Sequence, residues 1–519
     1  MSAPGATKTS GEAVDRGFVA SISDEQLRAV PAEVWRSLAE VMEAHDVTRS
    51  HERVFTFSEV AFEPEFRALR RATLRSEGDA AAALLRAFWL HDPVPRGALA
   101  AALGERLFEA LAQHGVLSSA GDDAWVSPLV LFRFRGSWLL ADDLHAGADA
   151  VMGVGLDTSV LARAGLPRAA SSTASTRRSV ESIGDVLDLG SGAGAVALVV
   201  APFARSVVAT DVNPRAVLFV SANAAAHGHT NLAVATGDLF APVQGRRFDR
   251  ILTQPPWVPD WSDGSGEGGP TYATSGPRGD LLTRRILREV SGYLTPRGLA
   301  VIVAQLPVSP DLPVEDDLTQ GLPDDVDVIV GLGRADDYEY LAATCTAAEL
   351  PRFGAAYDEE VVRRARLLRA RGIHAFTRAM IALRPTGQPG RAGVRARFEL
   401  PSSPEAWIGS DDLERWLDAA VLRAPGADAA LHAARLRLRP ELQLARLPEG
   451  GALLHAPPSC PITLAGVGPG TVRVLEAIKA TRTVGDALRK IAPQPAARAA
   501  ILAGVRELLG AGVLEVVPG

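Results

Sequence analysis

The chain of 519 residues has little of what marks several large protein classes. Cysteine occurs only at Cys345 and Cys460, far apart and outside any Cys-x-x-Cys pair. That excludes a disulfide framework and a cysteine zinc site. Lysine is confined to Lys8, Lys479 and Lys490, while Ala, Arg, Gly and Pro abound, a bias of coding composition rather than of chemistry. No apolar run reaches the roughly 18 residues that a membrane span needs. The first 17 residues lack the apolar stretch of a secretory signal and read as a flexible tail, so a cytoplasmic protein is expected. Acidic residues outnumber basic ones, 61 to 54, for a formal net charge of −7. There is no global basic footprint for nucleic acid. His227 and His229 have no acid or cysteine at ligand spacing, and no metal is expected. Asp324, Asp325 and Asp327 read as a solvated loop and strand edge. No nucleophile–base triad is visible.

What is present is ample apolar material, 47 % of the residues, in a chain long enough for about two to four domains. From Ser23 to Leu90 the pattern is helical, with Ser23 as a first cap and Glu25 and Gln26 in the first turn. A further helix is expected over 79–90 and two short ones between Pro95 and Leu117. Residues 125–140 alternate like a hairpin turning at Arg135-Gly136. Helices followed by a hairpin are winged-helix-like. This first domain is assigned to 18–150, with a structural or substrate-docking role. Gly387 to Gly393 is a Gly/Pro/Arg linker into a last domain, 386–519, whose tail reads as three helices and a strand, again winged-helix-like.

Residues 185–261 carry the chemistry. An apolar run from Val186 to Leu189 enters a glycine turn at Gly190, Gly192 and Gly194. A second run, Val207 to Thr210, ends on Asp211. A third, Leu232 to Thr236, ends just before Asp238, and a fourth, Phe248 to Thr253, runs into Gln254-Pro255-Pro256-Trp257. Short apolar strands alternating with helical stretches mean βαβ units and a parallel sheet, which binds ligands at the carboxyl ends of its strands. Further strands are expected near 300–305, 326–330 and 375–383, with a helix over 359–371.

The glycine turn with Asp211 fits a nicotinamide fingerprint, which needs an acid about 20 residues on. Three features favour S-adenosylmethionine instead. Asp188 precedes the turn, where a carboxylate opposes a pyrophosphate but suits a cationic amino-acid end. Asp238 follows the third strand, where an adenine amine needs an acceptor. The fourth strand ends in a Pro-Pro-aromatic turn, which nicotinamide sites do not require.

The segment resembles a class I S-adenosylmethionine-dependent methyltransferase, within the group carrying (Asn/Asp/Ser)-Pro-Pro-aromatic. Gly276-Pro277-Arg278-Gly279-Asp280-Leu281-Leu282, Ile286 and Leu294-Thr295-Pro296-Arg297-Gly298 resemble the continuation of its release-factor glutamine-N5 branch. The resemblance covers about 151–385 and implies an α/β fold: a Rossmann-like sheet of seven strands, flanked by helical, winged-helix-like domains. It implies a cofactor site of Asp188, Gly190, Gly192, Gly194, Asp211, Asn213, Asp238 and Leu239, with Thr158 on a loop closing over the cofactor, or else capping a helix.

It also implies that an oxygen of the first motif side chain and a main-chain carbonyl hold an NH2 group, the acceptor. Gln254, Pro255, Pro256 and Trp257 stand at those positions. Proline cannot donate, which leaves carbonyls free, and Trp257 offers a flat face to an amide, base or guanidinium. Gln254 departs from the usual Asn by one methylene. The expected activity is N-methylation of a planar nitrogen on a peptide, protein or small natural product. The alternatives are rRNA guanine-N2 or DNA adenine-N6 methylation, and a non-catalytic cofactor-binding regulator. A nucleic-acid substrate would need a basic channel. The one candidate, Arg363, Arg364, Arg366, Arg369 and Arg371, reads as the solvated face of a helix.

Overall fold

The computed structural model describes residues 21–47, 64–143, 149–171, 182–262, 274–350, 354–400, 408–457, 460, 462, 466–479, 483–492 and 494–517. The expected tail over 1–17 and the glycine-rich stretch from Asp263 to Pro270 lie outside them. The chain forms two compact units. One comprises Met1–Gly153 with Ser221–Gly228, the other Val154–Val220 with His229–Gly519.

In the first unit Ser23 caps Asp24–Ala29: its hydroxyl accepts from Gln26 N, and the Gln26 side chain accepts from Ser23 N. Asp79 likewise caps Ala80–Phe88. Helices Arg96–Leu103 and Glu105–Gln113 follow, and the core is built from Trp35, Leu38, Met42, Phe88, Leu99 and Phe108. A three-stranded sheet joins Val94–Pro95, Ala124–Val126 and Ser118–Ser119. The hairpin read over 125–140 is a separate pair, Leu129–Phe134 with Ser137–Asp142. Arg135 and Gly136 both have positive φ, 48° and 93°, as a two-residue hairpin turn requires. His227 lies with its Nε2 against the main-chain N–H and carbonyl of Trp138.

The second unit is organised by a mixed sheet of β1 (Asp185–Leu189), β2 (Ser206–Asp211), β3 (Leu232–Thr236), β4 (Phe248–Thr253), β5 (Leu294–Val308), β6 (Val326–Asp337), β7 (Ala375–Pro385) and β8 (Arg395–Glu399). Its order is β8-β6-β7-β5-β4-β1-β2-β3, with β7 antiparallel to both neighbours and the other pairs parallel. Leu187, Ile251 and the run Ala300–Ala304 are fully buried, as expected of parallel strands covered on both faces. The order reverses direction between β1 and β4, which opens a crevice at their carboxyl ends.

Eight strands, not seven, make this sheet. The extra one, β8, follows the linker that the sequence suggested as a domain boundary. Its sequence, RARFE, has no apolar run, and it joins by main-chain pairing to β6. Asp327 is a second correction. It is buried rather than solvated, and it gathers Arg391 Nη2 at 2.6 Å, Arg384 Nε at 3.4 Å and Val394 N at 3.0 Å. It thereby pins the linker into β8. The expected three helices and final strand follow as Pro469–Lys479, Val484–Ile491, Pro495–Gly510 and Leu514–Val516.

The helices that bear on the crevice are α1 (Leu156–Ala164), α2 (Ala195–Val200), α3 (Pro214–Ala226), α4 (Leu281–Glu289), α5 (Ala355–Ala370) and α6 (Ser410–Arg423). α6 ties the C-terminal part to the strands through Glu414 to Arg250 at 2.6 Å and Asp418 to Arg384 at 2.8 Å. Asp412 at its start is buried and paired with Arg439.

Candidate active site

β1 ends at Leu189 and passes into the turn Gly190–Gly194. Gly190, Gly192 and Gly194 all have positive φ, and a Cβ on Gly190 would meet nothing within 4 Å. The requirement at Gly190 is thus backbone conformation, facing open space. Gly194 has an added reason: a Cβ there would lie 3.1 Å from Val220 of α3. Asp188 is buried below the turn and accepts from Ala197 N in α2 at 2.9 Å. Burial pushes its carboxyl up to about 7; the Ala197 N–H opposes this and the nearby Asp211 charge adds to it.

Asp211, at the end of β2, accepts from Gly192 N at 2.9 Å and from Asn213 N at 2.9 Å, one on each oxygen. Burial raises its pKa against these hydrogen bonds. The Val212 N–H also favours the charged carboxylate. Asn213 accepts from Arg215 N and starts α3. After β3, Asp238 pairs through one oxygen with Arg285 Nη1 at 2.8 Å. Leu239 has φ 45°, a left-handed backbone unusual for leucine. Such strain persists where the surroundings impose it, and it gathers at ligand sites.

β4 delivers Gln254-Pro255-Pro256-Trp257 beside this turn. Among the described residues no donor reaches the carbonyls of Pro255 or Pro256. The Gln254 Oε1 accepts from the Thr158 hydroxyl at 2.8 Å. Thr158 was expected on a closing loop; it is the third residue of α1, and its oxygen also accepts from Gly155 N at 3.3 Å. Trp257 is half-buried against Leu341, Leu368, Ile373 and Phe376, so part of its ring is committed to packing.

The residues after the turn are held in ways the sequence did not reveal. Val258 O accepts from Ser275 N, and Gly276 O from Asp260 N, each at 2.9 Å. Gly279 lies so close that a Cβ on it would stand 2.2 Å from the Trp257 carbonyl oxygen. Asp280 is buried and bonded to Arg284 at 2.8 Å. Arg371 donates to three carbonyls: Asp260 at 2.6 Å, Pro277 at 2.8 Å and Ser262 at 3.1 Å. Arg363 donates to Trp261 O and to Glu360. Arg364 is buried, lies over the Trp261 ring and also binds Glu360, whose pKa the two arginines hold down to about 2. Of the helix arginines Arg364 is therefore buried, while Arg363 remains exposed, as the sequence suggested, and Arg371 follows the helix end.

β1 to β4, the glycine turn and the Pro-Pro-Trp turn fall within a stretch that a known family shares. Residues 170–264 match the family described as Methyltransferase small domain. This stretch is a methyltransferase domain. The release factor glutamine methyltransferase of Xylella fastidiosa (strain 9a5c) is 35 % identical over 125 residues, 22 % of this chain and 45 % of that protein. The ribosomal protein uL3 glutamine methyltransferase of Bradyrhizobium diazoefficiens is also 35 % identical over 125 residues, 22 % of this chain and 38 % of that one. The ribosomal RNA small subunit methyltransferase C of Alcanivorax borkumensis is 31 % identical, over 23 % of this chain and 32 % of its own length. The chain thus spans less than half the length of these curated relatives. Ahead of it, residues 62–127 match a Domain of unknown function (DUF7059). Among the described residues no helix is long and apolar enough to cross a membrane, and no group of three or more His, Cys, Asp or Glu could hold a metal ion.

Proposed function

We propose that the protein is an S-adenosylmethionine-dependent methyltransferase that methylates a planar nitrogen, first of all the side-chain amide of a peptide or protein. The observation that carries this is the convergence, at the carboxyl ends of the adjoining strands β1, β2 and β4, of Asp188 and the glycine turn, Asp211, and Gln254-Pro255-Pro256-Trp257. The names of the glutamine methyltransferases from Xylella and Bradyrhizobium support the amide.

The donor set fits the cofactor. Asp211, an acid at the end of its strand, can accept from ribose hydroxyls. Asp188, with its carboxyl near 7 and beneath an open glycine turn, suits a cationic amino-acid end. Asp238 has one oxygen outside its Arg285 pair for an adenine amine, and the left-handed Leu239 turns the main chain beside it. Bound there, the cofactor supplies a methyl group activated by a sulfonium. The protein's part is placement: methyl transfer is an in-line displacement that needs donor and acceptor close and aligned. The free carbonyls of the proline pair accept the N–H of the acceptor, and Trp257 covers one side of its plane.

The rRNA reading has the Alcanivorax relative in its favour. It lacks the channel, because Arg363, Arg364 and Arg371 already serve carbonyls, a ring and Glu360. A natural-product acceptor would use the same placement. Calorimetry tests the reading. The chain should bind S-adenosylhomocysteine and not NAD, and mass spectrometry of the labelled product should place the methyl on nitrogen. Tight NAD binding without a response to S-adenosylhomocysteine would sink the cofactor assignment. A methyl on oxygen or carbon would sink the acceptor assignment alone.

A further inference from the structure

Gln254 is an amide, with an accepting end and a donating end. Its accepting end is taken. Oε1 receives the Thr158 hydroxyl proton at 2.8 Å, and the Thr158 oxygen is itself fed by Gly155 N at 3.3 Å. The opposite orientation of the amide would leave the Thr158 hydroxyl proton without its acceptor among the described residues. The chain of N–H to O–H to O=C satisfies each group in turn. Among the described residues Nε2 has no partner.

Thr158 is firmly placed. Its neighbour Asp157 is buried and ion-paired with Arg378 Nε of β7 at 2.6 Å. At the other end of α1 a Cβ on Gly165 would stand 2.6 Å from Leu252 of β4, so the helix lies close on the strand that delivers Gln254. The bond also uses the length of glutamine. Asparagine is shorter by one carbon–carbon bond, about 1.5 Å, enough to open a 2.8 Å contact beyond hydrogen-bonding distance.

We propose that Thr158 is a positioning residue that turns the Gln254 amide so that its nitrogen, not its oxygen, faces the acceptor, and that the site therefore selects a nitrogen flanked by an accepting oxygen. Among the described residues the motif then offers a donor, Gln254 Nε2, and two carbonyls, of Pro255 and Pro256, that no donor reaches. A carboxamide matches both, oxygen to Nε2 and N–H to carbonyl. An ammonium or a guanidinium has only donors and leaves Nε2 facing a like group, a mismatch that polar sites reject strongly. This rests on the methyltransferase reading of the site and specifies which nitrogens it accepts.

The test uses the full chain saturated with S-adenosylhomocysteine. Three end-blocked tripeptides, with glutamine, ornithine or arginine at the centre, are titrated by calorimetry. The glutamine peptide should bind at least about tenfold more tightly than either cation. Gln254→Glu keeps an acceptor for Thr158 and loses the donor, and should reverse the order. Thr158→Ser should keep the preference. Thr158→Val should reduce it to within about threefold while S-adenosylhomocysteine affinity and the unfolding midpoint stay as they were, a pattern a purely structural role would not give. Wild-type protein that prefers the cations, binds all three alike or binds none overturns the proposal, as does Thr158→Val with the preference intact. Failure to bind S-adenosylhomocysteine overturns the methyltransferase reading instead.

Discussion

Around the glycine turn the groups that organise the site are held by main chain. Asp188 rests on Ala197 N, and Asp211 on Gly192 N and Asn213 N. Around the Pro-Pro-Trp turn several of the holders are side chains. Thr158 holds Gln254, and Arg371 gathers the carbonyls of Asp260, Ser262 and Pro277. A main-chain N–H is present whatever residue carries it, so the first end tolerates sequence change while keeping its shape. The second end changes with single substitutions. A cofactor shared by many enzymes suits the first kind of support, and an acceptor that differs between them suits the second.

The contrast can be broken at either end. The largest effect is expected at Asp188. Its folded pKa lies above the unfolded value of about 4, so the native state binds more protons between about pH 4 and pH 7. Asp188 therefore favours folding at low pH, and this contribution falls away as pH rises to about 7. Asp188→Asn should remove that component, on the order of 3 kcal/mol between pH 5 and pH 8, in urea unfolding of the ligand-free chain. An unchanged pH dependence would mean that the carboxylate is already compensated.

Gln254→Ala comes next. It should lower turnover by about a hundredfold, the cost of a misplacement of about 1 Å, and leave S-adenosylhomocysteine affinity within about twofold. Asp211→Ala should do the converse, weakening S-adenosylhomocysteine by about 1–3 kcal/mol. If both variants moved both quantities together, the two ends would act as one unit. Arg371→Ala is the mildest. Lost charge-assisted bonds to three carbonyls loosen the acceptor end, and KM should rise by about tenfold with kcat less affected. An equal fall in both kcat and kcat/KM would instead put Arg371 in the transferring step.

The same contrast governs how much could be read in advance. β1 to β4 are short apolar runs closed by Gly, Asp or Pro, and their ends and the candidate residues on them were legible. β5 is interrupted by Pro296, Gly298 and Pro307, and only its apolar middle was visible. β8 gave no signal, because Arg395–Glu399 joins by main-chain pairing and alternates without an apolar run. Thr158 was visible as a candidate but not as the partner of Gln254, 96 positions away. Arg371 could be counted among basic residues, yet its acceptors are carbonyls some 94 to 111 positions off, and a carbonyl leaves no mark in a sequence.

β8 has a consequence for how the chain can be divided. Without it, β6 would be the outermost strand, twelve residues long, with Val328, Val330 and Leu332 along it and its main-chain groups open on one side. β8 closes that margin. Its Phe398 covers Gly331, where a Cβ would come within 2.2 Å of the ring, and stacks on Trp416 of α6 at 4.4 Å. A chain cut at Pro385 would keep every residue of the candidate turns and still bare a long strand margin of the kind that pairs with its own copies. β8, which follows the linker, thus belongs to the same sheet as the candidate site, and a cut at the linker is expected to promote self-association, read by size-exclusion chromatography.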